Sequence, residues 1–270
     1  DFCAGTSICE TVTQGGGLRI AQITSNDGVN PAIITRYEYT KEEGNTTVSS
    51  GRLMSPVLNH RFDFTTGGSL GGGDGFLCHF LIRESGRTVP LGTSAQGSPV
   101  GYDQVTVLRG LNGENGKTEY VYRNREEEIS DFYVPNVPNR YFTDNGLLER
   151  QTEFALEGNS FRRVRQVETI YPPNAVASTV EEGLLVSALN CQGILKVKFY
   201  DLPSEWWYPT STIVREYSQS DETDVQETTT TYEYSNIDHY QVTQVTVTDS
   251  EGQNHQTTYE YAEDFTNETD

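Results

Sequence analysis

An all-β fold made of successive antiparallel β-hairpins is the fold class that this sequence predicts. Strand–turn–strand patterns recur along the chain, and several returning strands end in Tyr-x-Tyr. The composition agrees, because 25 glycines and 16 tyrosines against a single methionine favour strands and turns over packed helices. We expect neighbouring hairpins to stack into one extended or curled sheet, with at most one short helix.

The C-terminal part of the chain shows the pattern twice. Residues 212–217 and 228–234 form one predicted hairpin, and residues 242–248 and 257–261 form the next. Side chains alternate between the two faces of a strand, so Tyr259 and Tyr261 share one face. A lone hairpin is marginal in water. We therefore expect the paired tyrosines to be hidden by stacking against the adjoining hairpin.

Three more hairpins are predicted upstream, each joined by residues typical of tight turns. Their arms are residues 18–24 with 33–39, 103–108 with 117–122, and 147–154 with 161–170. The turn between residues 108 and 117 contains Asn-Gly twice, which is a strong hairpin signal. Residues 40–52 are polar and predict an exposed segment. Residues 123–146 contain a run of charges and then prolines, and predict a solvated connector.

The remaining segments are less regular. Strands are predicted at residues 61–64, 76–82 and 194–200, with a helix as the alternative at 76–82. The one helix candidate lies around residues 178–188, and an aromatic corner follows at 202–209. Residues 1–17 predict an N-terminal arm or loop, and residues 18–270 predict a single continuous domain with a sub-boundary near 172–192.

The charge balance excludes some partners. A net charge of −20 and a pI near 4.5 argue against binding nucleic acid or anionic membrane surfaces. Acidic residues are spread along the chain, which indicates a solvated surface, with cation binding as the alternative. No run of eighteen apolar residues occurs, so no membrane span is predicted. The opening Asp1-Phe2-Cys3 predicts a mature or excised segment of a longer protein.

The four cysteines fall into two pairs of different character. Cys3 and Cys9 lie close together in a small, polar segment, where a disulfide is predicted if the compartment is oxidising. Cys78 and Cys191 lie in apolar stretches and are interpreted as buried free thiols. Their spacing matches no zinc-binding pattern.

No catalytic motif is present, so no catalytic residue, metal or cofactor is predicted. The four histidines are isolated in sequence, and the Gly-rich stretch at residues 67–75 lacks the lysine of a phosphate-binding loop. A calcium site at residues 71–75 is a weak alternative. Trp206, Trp207 and Tyr208 form the one candidate binding site, as a sugar-stacking platform, with core packing as the alternative.

The order of several short motifs resembles the region ahead of the repeats in RHS/YD-repeat proteins of Bacteroidetes. The motifs are Gly16-Gly17-Leu18-Arg19-Ile20, Asp27-Gly28, Arg36-Tyr37-Glu38-Tyr39-Thr40, Ser49-Ser50-Gly51-Arg52-Leu53, the ten residues 97–106, Asn115-Gly116-Lys117-Thr118, Gly146-Leu147-Leu148 and Trp207-Tyr208-Pro209. Tyr102-Asp103 and Tyr200-Asp201 are not followed in step by the Gly-Arg of the repeats. The chain therefore resembles the leading portion rather than the repeat array.

The resemblance implies a function. In that family, repeated hairpins coil into a hollow shell or a cell-surface fibre, and the proteins are exported and often end in a toxin domain. The leading hypothesis is a non-catalytic structural and interaction module of such a protein, located outside the cell or on its surface. Its partners would be the rest of the same polypeptide or a surface protein complex. The alternatives are a glycan- or partner-binding adhesive module and, less favoured, a carbohydrate-active enzyme.

Overall fold

The fold was analysed in a computed structural model that describes residues 18–54, 59–66, 76–83, 100–125, 142–172, 178–189 and 194–265. In these residues every paired strand is antiparallel, and the one helical segment is a 3-10 turn at Ala262–Phe265. The prediction of an all-β fold with at most one short helix is confirmed. None of the helical structure in the described segments is long and apolar enough to cross a membrane.

Eighteen strands occur in the described part of the chain. In order they are β1 (Gln22–Ser25), β2 (Ile33–Glu38), β3 (Thr40–Glu43), β4 (Thr46–Ser49), β5 (Gly51–Leu53), β6 (Asn59–Thr66), β7 (Phe76–Arg83), β8 (Val100–Tyr102), β9 (Gln104–Arg109), β10 (Lys117–Tyr122), β11 (Leu148–Glu157), β12 (Ser160–Ile170), β13 (Ser178–Leu189), β14 (Ile194–Glu205), β15 (Ser211–Tyr217), β16 (Val225–Glu233), β17 (Gln244–Thr248) and β18 (Asn254–Thr258). Ten of them form one sheet, in the order β1-β2-β9-β10-β11-β12-β15-β16-β17-β18.

The ten-stranded sheet consists of five hairpins, and all five match predicted ones. They are β1/β2, β9/β10, β11/β12, β15/β16 and β17/β18, each paired in antiparallel register. The second arm of the last hairpin differs in position, because β18 begins at Asn254 and ends before Tyr259. Tyr259 and Tyr261 thus follow the strand instead of forming its end.

The four two-stranded sheets lie in connections between these hairpins. The pairs β3/β4, β5/β8 and β6/β7 occur between β2 and β9, and β13/β14 occurs between β12 and β15. Because the large sheet is a meander, its five hairpin turns lie at one end and every connection between hairpins lies at the other. We call this second end the base of the sheet, and all inserted strands leave the sheet there.

Two sequence predictions were wrong in this region. The predicted helix at residues 178–188 is strand β13, which pairs along its whole length with β14. The predicted corner at 202–209 begins later, because β14 continues through Pro203 to Glu205. Proline is tolerated there because β14 pairs on one side only, so the missing N–H can fall on the unpaired side.

The prediction that residues 40–52 are exposed is confirmed at most positions, and the segment also forms strands β3, β4 and β5. Strand β3 pairs with β4, which follows it directly in sequence, whereas β5 pairs with β8, about fifty residues away. Ser50, between them, is 1% exposed, and its hydroxyl donates a hydrogen bond to the carbonyl oxygen of Gln104. This segment therefore packs against the start of β9.

Buried apolar side chains are few among the described residues: Met54, Leu108 and Tyr208. Most apolar side chains of the ten-stranded sheet, including Val105, Val167 and Val214, are half-buried. Backbone hydrogen bonds between strands and cross-strand side-chain pairs, more than a thick hydrophobic core, therefore stabilise this sheet. The N-terminal arm predicted at residues 1–17 lies outside the described residues, as does the glycine-rich stretch at 67–75.

Candidate functional site

A repeated hydrogen bond closes the base of the hairpins. In three of them the second tyrosine of Tyr-x-Tyr donates its hydroxyl hydrogen to a backbone carbonyl just before the first strand of the same hairpin. The pairs are Tyr39 with Ile20 at 2.8 Å, Tyr234 with Pro209 at 3.1 Å, and Tyr261 with Val242 at 2.8 Å. We call this contact the base clasp.

The backbone next to each base clasp is the same in these three hairpins. The N–H of the first tyrosine donates to the carbonyl one residue after the clasp acceptor. The bonds are Tyr37 to Ala21, Tyr232 to Thr210 and Tyr259 to Thr243, at 2.9, 3.0 and 2.9 Å. The two-residue spacing of Tyr-x-Tyr thus places one backbone donor and one phenol donor on two consecutive carbonyls.

The other two hairpins have variants of the same contact. In β11/β12 the hydroxyl of Tyr171 lies 3.4 Å from the carbonyl oxygen of Leu148. In β9/β10 the donor is an amide, because Asn124 Nδ2 donates to the carbonyl of Tyr102 at 2.9 Å. Tyr122 N donates to the adjacent Asp103 carbonyl, as the first tyrosine does elsewhere. All five hairpins are therefore closed at the base by one side chain.

Partial burial suits the phenols to this role. Burial is the largest cause that raises the pKa of Tyr39, Tyr171 and Tyr234 above the ordinary tyrosine value. A raised pKa keeps the hydroxyl protonated, and only the protonated form can donate to a carbonyl oxygen.

The expectation that both tyrosines of each pair are hidden is only partly correct. Tyr39 packs against Tyr102 of the next segment, with ring centroids 4.6 Å apart. Tyr261 packs against His239 of the previous connection at 4.9 Å. Tyr259, however, is 44% exposed, because no strand covers its side of the sheet edge among the described residues.

Two residues of the candidate binding site meet in an aromatic corner. Trp206 stacks on Tyr208 with centroids 4.5 Å apart, and Tyr208 is 8% exposed. The clasp tyrosine Tyr234 contacts both rings, at 5.3 Å from Trp206 and 4.5 Å from Tyr208. Tyr240, from the connection between β16 and β17, contacts Trp206 at 5.3 Å. The corner thus joins the end of β14 to the base of the large sheet.

Trp207 belongs to a different cluster. Its Nε1 donates to Thr143 Oγ1 at 2.8 Å and lies 3.3 Å from Glu205 Oε2. The guanidinium of Arg123 lies 5.6 Å from its ring centroid. Trp206, Trp207 and Tyr208 therefore do not form one continuous stacking surface, although Trp206 and Trp207 both remain partly exposed.

Backbone strain occurs beside the aromatic corner. Tyr240 has a φ of 54°, which is uncommon for a bulky residue, and its ring packs on Trp206. The preceding His239 accepts a hydrogen bond at Nδ1 from Gln241 N, so its Nε2 faces Asp264 Oδ1 at 3.2 Å as the donor. These contacts fix the connection between β16 and β17 against the turn that follows Tyr261.

Two carboxylates at the base are surrounded by cations. Asp144 is 1% exposed and bonds to Arg123 and Arg125, and Arg123 also bonds to Glu149 at 2.6 Å. Asp103 bonds to Lys41 at 3.0 Å and to both Nε and Nη2 of Arg52.

The surroundings of Asp103 set its protonation. Burial raises the pKa of this carboxyl, but hydrogen bonds from Arg52 and Lys41 outweigh burial, and the pKa lies below its ordinary value. Asp103 precedes β9, and its two cationic partners lie in β3 and β5. The ion pairs therefore attach the first insertion, which comprises strands β3 to β8 between β2 and β9, to the base of the sheet.

Metal-binding chemistry has no counterpart in the described segments, where no three His, Cys, Asp or Glu side chains form a metal-binding group. His60 and His79 lie in strands β6 and β7, and His255 lies in β18. Cys78 lies in β7 opposite Phe64. Cys3, Cys9 and Cys191, and with them the predicted disulfide, lie outside the described residues.

Comparison of the chain with models of protein families, with curated proteins and with solved structures finds no match.

Sequence reasoning found the Tyr-x-Tyr pairs but missed what they bind. The signal was present in the constant Tyr-x-Tyr spacing at the end of the returning arm in the three clasped hairpins. The carbonyl acceptors could not be found from sequence, because any residue supplies a carbonyl oxygen. Asn124 was missed because it stands where the other hairpins have tyrosine.

Proposed function

We propose that this chain is a non-catalytic structural and interaction module of a large, exported cell-surface β-repeat protein of the RHS/YD type. Its work is to form a rigid wall that carries or encloses other parts of the same polypeptide or of a surface complex. One observation carries the proposal: all five hairpins of the ten-stranded sheet are closed at the base by a side chain bonded to a backbone carbonyl, three by the base clasp and two by variants of it.

The repetition supports a mechanical role. Hairpins of similar construction, each closed at its base by a side chain, make a modular sheet in which each unit is stabilised by its neighbours. Insertions leave the sheet only at its base, so each strand of the sheet pairs with the next from β1 to β18. The acidic composition supports solubility of such a large, thin surface. The resemblance of the short motifs supports the assignment to the RHS/YD type.

Surface exposure in the native bacterium tests the proposal. Intact cells would be treated with proteinase K and probed with antibodies against this chain, beside a cytoplasmic and a periplasmic marker. We expect the chain to be degraded while both markers survive. Degradation only after lysis, together with the cytoplasmic marker, would refute export and with it the proposed role.

A second candidate function is glycan binding at the aromatic corner. It is favoured by the partly exposed Trp206 and by the strained backbone of the adjacent Tyr240. A glycan array with the wild-type chain and with Trp206→Ala tests it, and Trp207→Ala is the matched control in the other cluster. Binding that is lost only in Trp206→Ala supports this function. Equal binding by all three proteins excludes the corner as the site.

A further inference from the structure

The hairpin β13/β14 is an arm with only one neighbour for each strand. Its two strands of 12 residues pair over their whole length and pair with no other strand in the described part of the chain. At about 3.4 Å per residue, such strands extend for about 40 Å. Two-stranded hairpins are marginally stable alone in water. No other strand of the described segments therefore extends the two-stranded arm into a larger sheet.

One face of the arm is apolar and exposed. Cross-strand register pairs Leu184 with Phe199, Val186 with Val197, and Val180 with Pro203, and all six lie on the same face. The exposed fractions are 61% for Val180, 55% for Leu184, 51% for Val186, 53% for Val197 and 61% for Phe199. Scattered apolar residues are normal at protein surfaces, but here Leu184/Phe199 and Val186/Val197 are adjacent on one face, and adjacent exposed apolar pairs are typical of an interaction surface.

Two carboxylates interrupt this apolar face. Glu182 lies directly opposite Asp201 in the register, between the Val180/Pro203 and Leu184/Phe199 pairs, and both residues are exposed. Neither forms an ion pair in the described part of the chain. Like charges directly opposite each other in a sheet are destabilising. A partner that covers the apolar pairs must also cover these two acids, and a buried carboxylate needs a cation.

We propose that this face of the arm binds an extended polypeptide segment that presents apolar side chains on one face and a lysine or arginine between them. The cation lies between Glu182 and Asp201, and apolar side chains two residues to either side lie on Leu184/Phe199 and on Val180/Pro203. A strand of alternating pattern supplies this spacing, because every second side chain lies on one face. The inference concerns the arm alone and does not depend on export of the protein.

A second copy of this face fits less well. Two arms packed face to face would bury four carboxylates and bring no cation from the apolar faces themselves. Charge complementarity therefore favours a basic partner over self-association. Self-association remains a measurable outcome that would contradict the proposal.

Synthetic peptides test the proposal on the full chain. Three nine-residue peptides alternate valine and threonine and differ only at the central position, which holds lysine, glutamine or glutamate in place of valine. Fluorescence anisotropy measures their binding to the wild-type chain. We expect the lysine peptide to bind at least about tenfold more tightly than the glutamate peptide, because only lysine compensates the two acids. Binding should weaken as salt rises.

Variants of the arm assign the binding to its apolar face. The double variant Glu182→Gln/Asp201→Asn should lose the preference for lysine, and Glu182→Lys/Asp201→Lys should reverse it in favour of glutamate. Phe199→Ser should weaken the binding of all three peptides. Glu181→Gln is the matched control, since Glu181 is also exposed but lies on the opposite face. Circular dichroism shows that each variant retains its strand content.

Three outcomes would overturn the proposal. The first is absence of binding of the lysine peptide at millimolar concentration. The second is equal binding of the lysine and glutamate peptides. The third is a wild-type dimer in light scattering that Phe199→Ser dissociates, because the apolar face would then be occupied by a second copy. Reversal of preference in the double-lysine variant, with no effect of Glu181→Gln, supports the proposal.

Discussion

The ten-stranded sheet and the β13/β14 arm use the same strand alternation with opposite results for burial. In the sheet, eight of the ten strands pair on both sides, and each hairpin is closed by a base clasp or a variant of it. In the arm, each strand pairs once, and Leu184 and Phe199 remain more than half exposed. Alternation of side chains is therefore sufficient to predict a hairpin. How far that hairpin is buried depends on neighbouring strands and on the side chains that close its base.

The arm and the sheet meet at the aromatic corner. Tyr208 is the most buried ring there, and it contacts Tyr234, which is itself the clasp of β15/β16. The end of the arm is thus attached to a clasped hairpin, while β13 and β14 pair only with each other among the described strands. Stability should accordingly fall from the middle of the sheet to the arm, and the following predictions test that order.

The largest effect is expected at the β9/β10 turn, in the interior of the sheet. Gly116 has a φ of 86°, and a Cβ there would overlap the carbonyl oxygen of Phe154 in the adjacent hairpin. Because both the backbone conformation and the neighbouring backbone oppose a side chain, Gly116→Ala should lower the free energy of unfolding by at least about 3 kcal/mol. Urea denaturation followed by circular dichroism measures this.

The control for Gly116 lies at the edge of the sheet. Gly252 has a similar φ of 81°, but nothing lies within 4 Å of the position of its Cβ. Gly252→Ala should therefore cost only the conformational term of about 1–2 kcal/mol. Equal losses for the two variants would show that contact between adjacent hairpins does not distinguish the interior from the edge.

Amide exchange gives the next largest difference. Strands β11 and β12 each have a neighbouring strand on both sides. We therefore expect their hydrogen-bonded amides to exchange at least about 100-fold more slowly than those of β13 and β14. Mass spectrometry of peptides from each strand, corrected for intrinsic exchange rates, measures this ratio. Equal protection of arm and sheet would mean that another layer covers the arm, and the comparison would fail.

The base clasp should make a smaller but measurable contribution to the free energy of unfolding. Tyr234→Phe removes the hydroxyl that donates to the Pro209 carbonyl, and we expect a loss of about 1 kcal/mol. Tyr232→Phe is the matched control, because its hydroxyl makes no hydrogen bond among the described residues. That control should change stability by less than about 0.5 kcal/mol. If both variants behave alike, the phenol hydroxyl does not close the hairpin.

The local hairpins were predictable from sequence, because their turn residues and alternation are local signals. Asn112 to Gly116, for example, identifies the β9/β10 turn without any tertiary information. The pattern at Ser178–Leu189 was misleading, since Glu181, Glu182 and Leu184 suit a helix as well as a strand. Pairing with Ile194–Glu205 overrides that preference.

Contacts between distant segments were not predictable. Sequence identified Trp206, Trp207 and Tyr208 as one group, but Trp207 lies with Thr143 while the other two lie with Tyr234. Likewise, nothing at Lys41 indicates a bond to Asp103, which is 62 residues away. Such contacts depend on which connections lie next to one another at the base of the sheet. The alternation of side chains along a strand carries no information about that.

The smallest expected change in unfolding free energy concerns the first insertion. Unlike the arm, this insertion is attached to the sheet by ion pairs. Asp103→Asn removes the charge that binds Lys41 and Arg52, and these partly exposed pairs should contribute about 1 kcal/mol or less at pH 7. The control Glu38→Gln breaks the more exposed pair with Arg36 and should cost less than about 0.5 kcal/mol.

The pH dependence of Asp103→Asn then gives the sign of the effect. The pKa of Asp103 is lowered in the folded chain, so its contribution is complete above the ordinary aspartate value and disappears as pH falls through the lowered pKa. The difference in unfolding free energy between wild type and variant should therefore shrink below about pH 4. A difference that is constant between pH 7 and pH 3 would show that the ion pairs do not attach the insertion.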